Sequence, residues 1–397
     1  MPLRVLSYNV WGLFVAKSVP ERMRRISELL RTYDVVCLQE QFEERHAAVL
    51  FPDGCAFPYV ERFVSCAYGS GLTIASKYPI VGTAFIPFQA CGRPERINEG
   101  DYIAHKGIGA VRIAVPPHVL GAEASSTDPV EVLVTNTHLV ACYQKYSVLG
   151  GYFNERNAAA RITEMMQVAD TACLLSGASR PGSGAPIILC GDFNCSPDSW
   201  EMRLLLDRCA RRGLHLRTAT DPGTHTMTMA NSFVAGHDDD KVLSEASEDL
   251  PVQLDHVLFS GLALAGPGTL AFTEKFLIGG RQAHLSDHFG VATEFSCLTA
   301  GDGSARIPTL MAPADGDRVV GFLRAEAASS RRTALGLGAA TVAALAAVVS
   351  GRAALHPALL VAAGAMSVVL AYIAVAHRYF EAQVLARRAA DLERAIS

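Results

Sequence analysis

Short apolar runs alternate with amphipathic stretches through the first 300 residues of the chain. Leu3–Tyr8 reads as a strand that ends at Asn9. Pro20–Thr32 reads as a helix, with Pro20 near its start and Met23, Ile26, Leu29 and Leu30 on one face. Asp34 leads into the strand Val35–Gln39, which ends at Glu40, and a second helix follows through Phe51. Further strands are predicted at Leu72–Ser76, Ile80–Ile86, Gly107–Val115 and Val130–Thr137, the last ending at His138. Gly69-Ser70-Gly71 and Lys77-Tyr78-Pro79 punctuate them as turns, and Gln89–Lys106 is polar and irregular. A long helix is predicted over Glu155–Leu175, then a flexible linker over Ser176–Ala185. Ile187–Cys190 reads as a short buried strand; Gly191 is expected to turn the chain sharply out of the sheet. Pro197 and Asp198 prepare a helix from about Trp200. Val252–Phe259, carrying Asp255, and Phe289–Phe295, after the turn Leu285–His288, complete the strands. Strands alternating with helices, then hairpin-like strands, predict an α/β fold of two packed sheets with helices outside.

The pattern changes at the C-terminus. Thr333–Val349 and Ala358–Ala376 are uncharged Ala/Val/Leu/Gly runs joined by a short turn holding Arg352 and His356. Each is near the ~20 residues that cross a bilayer. A buried Ala-rich hairpin is the soluble alternative. Charges at Arg331, Arg332, His377 and Arg378 flank the runs on what would be one side, which the positive-inside rule makes cytosolic. The expected layout is one large α/β domain over 1–298, a linker over 299–332, two transmembrane helices over 333–376 and a short helical tail over 377–397.

Composition narrows the function classes. The chain has 397 residues and half are hydrophobic, enough for one large domain plus extra segments. With 35 basic and 39 acidic residues the net charge is −4, which gives no electrostatic footprint for nucleic acid. The 10 cysteines are scattered, without CxxC or zinc spacing, as expected in a reducing compartment. The opening residues read as a strand, so no signal peptide is expected. Leu120–Pro129 and the acidic stretch Ala235–Leu250, with His237 to Asp240, are expected to be solvated loops.

Chemistry-bearing residues recur at one kind of place. Asn9, Glu40, His138, Asp192 with Asn194, Asp255, and Asp287 with His288 each end a strand or sit in the turn beside one. Singly, each is a capping or turn residue; jointly, they would meet at one rim of the two sheets. Ser7-Tyr8-Asn9-Val10-Trp11-Gly12, Leu38-Gln39-Glu40, Asn136-Thr137-His138-Leu139, Gly191-Asp192-Phe193-Asn194 and Ser286-Asp287-His288 resemble the motif set of the endonuclease/exonuclease/phosphatase (DNase I-like) superfamily, in that family's order. Gly69-Ser70-Gly71-Leu72 with Ser76-Lys77-Tyr78-Pro79-Ile80 further resembles membrane-anchored neutral sphingomyelinases, as do Asp101, Lys106 and the C-terminal hairpin.

The resemblance implies a four-layer α/β/β/α sandwich and a Mg²⁺-dependent phosphodiesterase. It implies that Glu40 and Asn9 hold the Mg²⁺, since a hard cation needs few protein oxygens. His288 would be the general base on water, oriented by Asp287 or Asp255. His138 and Asn194 would donate hydrogen bonds to the phosphorane, while Asp192 is expected to be essential in an unassigned role. Lys106 would pair with Asp101 or with a substrate phosphate. The chain departs from the family pattern after His138, at Leu139–Tyr143, and over Thr224–Leu250, so the headgroup preference stays open. The reaction implied is phospholipase C cleavage of a phosphosphingolipid in a membrane, sphingomyelin or inositol phosphorylceramide, to ceramide. An activating anionic lipid and a multi-pass location in an intracellular membrane such as the endoplasmic reticulum, catalytic domain facing the cytosol, go with that resemblance. The alternatives are a membrane-tethered nuclease or phosphatase of the same fold, and a non-catalytic membrane scaffold.

Overall fold

Apolar strands too short to bury themselves must pair, and here they form two sheets. The computed structural model describes residues 2–65, 68–121, 128–142, 155, 157–178, 184–234, 251–298, 311–349 and 357–396. The expected loop over 235–250, the linker over 299–310 and the turn over 350–356 lie outside the described residues.

The strands are β1 (Leu3–Asn9), β2 (Val35–Gln39), β3 (Tyr59–Phe63), β4 (Leu72–Ser76), β5 (Ile80–Pro87), β6 (Gly107–Val115), β7 (Val130–His138) and β8 (Ile187–Asp192). They continue with β9 (Arg217–Thr218), β10 (Asp255–Ser260), β11 (Leu262–Leu264), β12 (Thr269–Ala271), β13 (Phe276–Ile278), β14 (Arg281–Ala283) and β15 (Gly290–Leu298). One sheet has the order β11-β15-β1-β2-β4-β3, with β12 also on β15; the second runs β5-β6-β7-β8-β10-β9. Parallel pairs β1–β2 and β7–β8 sit centrally in otherwise antiparallel sheets. Val5, Val35 and Ile74 of one sheet and Val111, Val134, Ile188 and Val257 of the other fill the space between them.

Helices α1 (Val19–Leu30) and α2 (Glu44–Leu50) cover the outer face of the first sheet, where Met23, Ile26 and Leu30 pack on Leu6, Val36 and Leu38. The short α3 (Asp101–Ala104) lies between β5 and β6. Helices α4 (Ala158–Ser176) and α5 (Trp200–Ala210) cover the second sheet through Met165, Val168, Met202 and Leu205. The four-layer α/β/β/α sandwich follows. Strand β3 escaped the sequence pattern because it is an edge strand whose first residues are exposed.

The C-terminus differs from its expected layout. Residues 313–332 are not linker: α6 runs unbroken from Pro313 to Val349. The tail is likewise no appendage. Helix α7 (Pro357–Tyr372) passes through a π-helical segment, Ile373–Tyr379, into α8 (Phe380–Ile396). Val319, Leu323 and Ala327 of α6, with Leu385, Ala389 and Leu392 of α8, bury an apolar cluster against Ile162, Met166 and Leu204. This adds a helical layer over α4 and α5, driven by burial of those side chains. Among the described residues, one helical stretch, Gly364–Ile396, is long and apolar enough to cross a membrane by length and composition.

Candidate active site

Sheet register assembles the site. In the second sheet His138 pairs across from Asp192, and Asp192 from Asp255, so three functional groups stand in a row on β7, β8 and β10. In the first sheet Asn9 stands beside Gln39, and Glu40 follows at once. Because β10 and β15 run antiparallel to their neighbours, the starts of those strands reach the same rim. Asp255 opens β10, and His288 lies two residues before β15.

Gly191 acts by close approach rather than as the expected turn, since it lies inside β8. A Cβ there would meet the Thr137 carbonyl oxygen at 2.1 Å. Glu40 and Asn194 hold left-handed backbone conformations, φ 57° and 49°. Asn tolerates that region; for Glu40 it is local strain of the kind found at functional sites, on the order of 1–3 kcal/mol.

His288 and Asp255 form the core of the site. Nδ1 of His288 lies 2.7 Å from Asp255 Oδ2, and its Nε2 lies 3.8 Å from Asp192 Oδ2. All three residues are buried. Burial opposes a charge on His288, yet the carboxylates of Asp255 and Asp192 outweigh it and raise its pKa well above the usual value. Burial, with Asp255 adding to it, pushes Asp192 up to about 6. Of the two orienting residues expected for His288, Asp255 is the one in contact. Asp287 instead lies 3.1 Å from the Ser286 hydroxyl.

Asn9 departs from its expected role. Its Nδ2 donates to Glu40 Oε1 and to Asp192 Oδ2, both at 3.0 Å. Its Oδ1 accepts from the Trp11 N–H at 3.0 Å. The amide therefore turns its NH₂ group, not its oxygen, toward the carboxylates. Glu40 carries the better cation argument. Its buried Oε2 has no hydrogen-bond partner among the described residues. Burial, with the nearby Asp287 charge, pushes its pKa up to about 7. A hard divalent cation fits such a carboxylate-lined pocket. Asp192, Asp255 and His288 also bring ligand atoms within 4.8 Å of one another.

Lys106 binds Asp101 Oδ1 at 2.6 Å, donates to Leu139 O at 2.9 Å and lies 3.0 Å from His138 Nε2. An ammonium only donates, so His138 Nε2 accepts. Burial, Lys106 and His288 all hold His138 neutral, its pKa well below the usual range. Its Nδ1 is then the protonated nitrogen, buried and without a partner among the described residues. Asn194 is already engaged: its Nδ2 donates to Leu139 O at 3.0 Å and its backbone N–H to Asp192 Oδ1. Hydrogen bonds and close ionic contacts thus join nine of the ten expected residues, Asn194 included, into one connected group. Asp287 stands beside it on Ser286.

Several supporting residues escaped the sequence reading. Arg22 is fully buried and donates to the carbonyls of Val10, Trp11, Lys17 and Leu285, tying together the loops that carry Asn9 and His288. Its signal was present: Arg22 sits on the buried face of α1 with Val19, Met23 and Ile26. Gln39 and Asn136 bridge the two sheets at 2.7 Å. Glu164 on α4 accepts from the Val140 N–H at 2.9 Å, and burial raises its pKa to about 8. A lone glutamate on a helix gives no such signal in sequence.

The sequence pattern of the Endonuclease/Exonuclease/phosphatase family matches residues 6–288, most of the chain. The chain is 31% identical over 203 residues to an inositol phosphosphingolipids phospholipase C of Schizosaccharomyces pombe, covering 49% of this chain and 42% of that protein. It is 25% identical over 270 residues to sphingomyelin phosphodiesterase 2 of Homo sapiens, covering 66% of this chain and 56% of that one. The chain thus spans about half the length of these curated relatives. Among solved structures, the beta toxin of Staphylococcus aureus superposes with a TM-score of 0.52 at 17% identity, over 73% of this chain and 99% of the toxin. TDP2 of Caenorhabditis elegans gives 0.51 at 17% identity, over 75% and 76%. These likenesses establish the fold.

Proposed function

The chain belongs to the endonuclease/exonuclease/phosphatase family, and we propose that it is a membrane-held, divalent-cation-dependent phospholipase C acting on a phosphosphingolipid. The observation that carries the reading is the His288–Asp255 pair, 2.7 Å apart and buried, beside a carboxylate pocket and a neutral histidine. The names of the relatives point to the substrate class: one is a phospholipase C for inositol phosphosphingolipids, another a sphingomyelin phosphodiesterase.

In this reading water attacks phosphorus, and His288 Nε2 accepts its proton. Asp255 holds Nδ1–H, fixes the tautomer and stabilises the imidazolium that forms. The phosphorus–oxygen bond to ceramide breaks, and the ceramide oxygen leaves as an alcohol after gaining a proton. His138 Nδ1–H is the donor for the charge that builds on phosphoryl oxygens, and Lys106, whose three N–H groups are taken by Asp101, Leu139 and His138, contributes its positive charge. Glu40, through Oε2, would hold a cation such as Mg²⁺; Asn9 would need its oxygen turned inward to join it. When bound, that cation polarises a phosphoryl oxygen and neutralises developing charge. Asp192 spaces the two histidines and accepts from Asn9.

Membrane attachment belongs to the same proposal. Leu335 and Val342 on α6, and Val361 and Val368 on α7, are each between 67% and 73% exposed. Large apolar side chains left in the open along two adjoining helices fit a lipid environment better than water. Residues 333–376 would form two spans, with the catalytic domain on the cytosolic side of an endoplasmic reticulum membrane and an anionic lipid as activator. The spans would confine the site to the surface that carries its substrate, raising effective concentration.

The test is turnover by purified full-length protein in mixed micelles. Sphingomyelin, inositol phosphorylceramide, phosphatidylcholine and single-stranded DNA are offered side by side. Ceramide release that EDTA abolishes and Mg²⁺ restores supports the proposal and selects the headgroup. DNA cleavage without lipid turnover overturns it, as does full lipid turnover by Glu40→Ala or His288→Ala.

A further inference from the structure

We propose that a second anion site, separate from the catalytic centre, lies where the C-terminal half of α8 crosses the end of α5, and that it takes a small phosphate-bearing molecule. A cavity of about 510 Å³ opens there. Six arginines line it: Arg208, Arg211 and Arg212 from α5 and the turn after it, and Arg387, Arg388 and Arg394 from α8. Three aspartates face them, Asp170, Asp207 and Asp391, so three positive charges stand in excess.

The pairing is uneven. Asp170 alone serves three guanidinium groups: Arg208 at 2.6 Å, Arg388 at 2.8 Å, and Arg212. Asp207 takes Arg211 at 2.8 Å and Asp391 takes Arg394 at 2.5 Å. Arg388 is only 7% exposed, and its buried Nε has no hydrogen-bond partner among the described residues. Arg387 lines the cavity, is exposed, and makes no ion pair among the described residues. A desolvated guanidinium with an unmet donor, beside surplus like charge, is the setting that an anion with several acceptor oxygens relieves. The planar, forked donors of arginine match phosphate geometry, and the cavity has room for a phosphorylated small molecule.

A lipid headgroup and a soluble phosphate share this chemistry, and the geometry separates them. The C-terminal apolar run ends near Arg378, and α8 rises about 1.5 Å per residue from there. Arg387 to Arg394 then stand about 14–24 Å from the boundary of the spans proposed above, beyond the reach of a headgroup in the same bilayer. The assignment is therefore to a soluble ligand. Only this choice of source rests on the membrane reading; the charge and cavity arguments do not.

The experiment is calorimetric titration of full-length protein in detergent, in EDTA, with inorganic phosphate and with pyrophosphate. Wild type, His288→Ala, Arg387→Ala and Arg387→Glu are compared, each first checked for an unchanged melting curve. Saturable binding is expected to persist in His288→Ala and to weaken with added salt. It should fall about tenfold in Arg387→Glu, and less in Arg387→Ala, as one charge-assisted contact is lost. Absence of saturable binding to wild type overturns the site, as does binding that Arg387→Glu leaves unchanged or that His288→Ala removes. Phosphatidylserine vesicles form the last arm. Arg387-dependent capture by those vesicles without binding of either soluble anion would refute the soluble assignment.

Discussion

Glu164 offers the cleanest measurement of buried charge in this molecule. It lies on α4, fully buried, with Oε2 accepting from the Val140 N–H and Oε1 without a partner among the described residues. Burial raises its pKa from 4.5 to about 8, against an opposing pull from Lys106. Below pH 4.5 both folded and unfolded chains hold the proton, and the residue contributes nothing to pH dependence. Between 4.5 and 8 the unfolded chain ionises while the folded one does not, so stability falls as pH rises. Above 8 the penalty is constant. A shift of that size corresponds to about 5 kcal/mol at most, and relaxation or water entry reduces it. Glu164→Gln keeps an acceptor for Val140 and removes the charge. Its unpaired NH₂ costs on the order of 1–3 kcal/mol at every pH, so the informative quantity is the change between pH 4.5 and pH 9. The variant should gain about 2–5 kcal/mol on wild type across that interval, read by urea unfolding followed by tryptophan fluorescence. Parallel pH profiles for the two proteins would show that Glu164 is ionised in the fold and that the burial argument is wrong.

Asp255→Asn removes the hydrogen-bonded carboxylate that does most to raise the His288 pKa, so the rising limb of the pH–rate profile should move to lower pH. Turnover should also fall by about 10²–10⁴, as when a general base loses its orienting partner; an unmoved limb in a kcat/KM profile contradicts the pairing. Gly191→Ala forces a methyl into the Thr137 carbonyl and should destabilise by about 1–3 kcal/mol or more, seen as a lower Tm; an unchanged Tm would mean the two strands can part without cost. The buried Arg93–Glu381 pair, 2.9 Å apart, joins the loop bearing Asp101 and Lys106 to α8. A double-mutant cycle on Arg93→Ala and Glu381→Ala should give a coupling of about 0.5–3 kcal/mol in stability, and simple additivity would show that the contact is not formed.

Nearly all the central strands were legible in the sequence, because a strand buried on both faces is a continuous apolar run. The strand-end residues Glu40, His138, Asp192, Asp255 and His288 were legible too, since polar groups at the ends of such runs stand out. Strand β3 was not, because an exposed edge strand carries no apolar signature. Nor was Glu164, whose burial depends on what other segments lay over it. The expectation that residues 313–332 were linker failed for a related reason. Their apolar positions make sense only once α8 and α4 supply the opposing face.

By itself, then, the chain determined its local elements, the order of its strands along the sequence and the inventory of groups that could do chemistry. Those follow from side-chain periodicity and turn residues, which act over a few positions. The partnerships were decided by the fold. Asn9 meets Asp192 across 183 positions, and His288 meets Asp255 rather than its own neighbour Asp287 as orienting group. Pairing register and sheet-on-sheet packing set those distances, and a hydrogen bond separates partner from bystander by a few tenths of an ångström. Register, protonation and the direction of one amide are properties of assembled strands, so no stretch of sequence carries them alone.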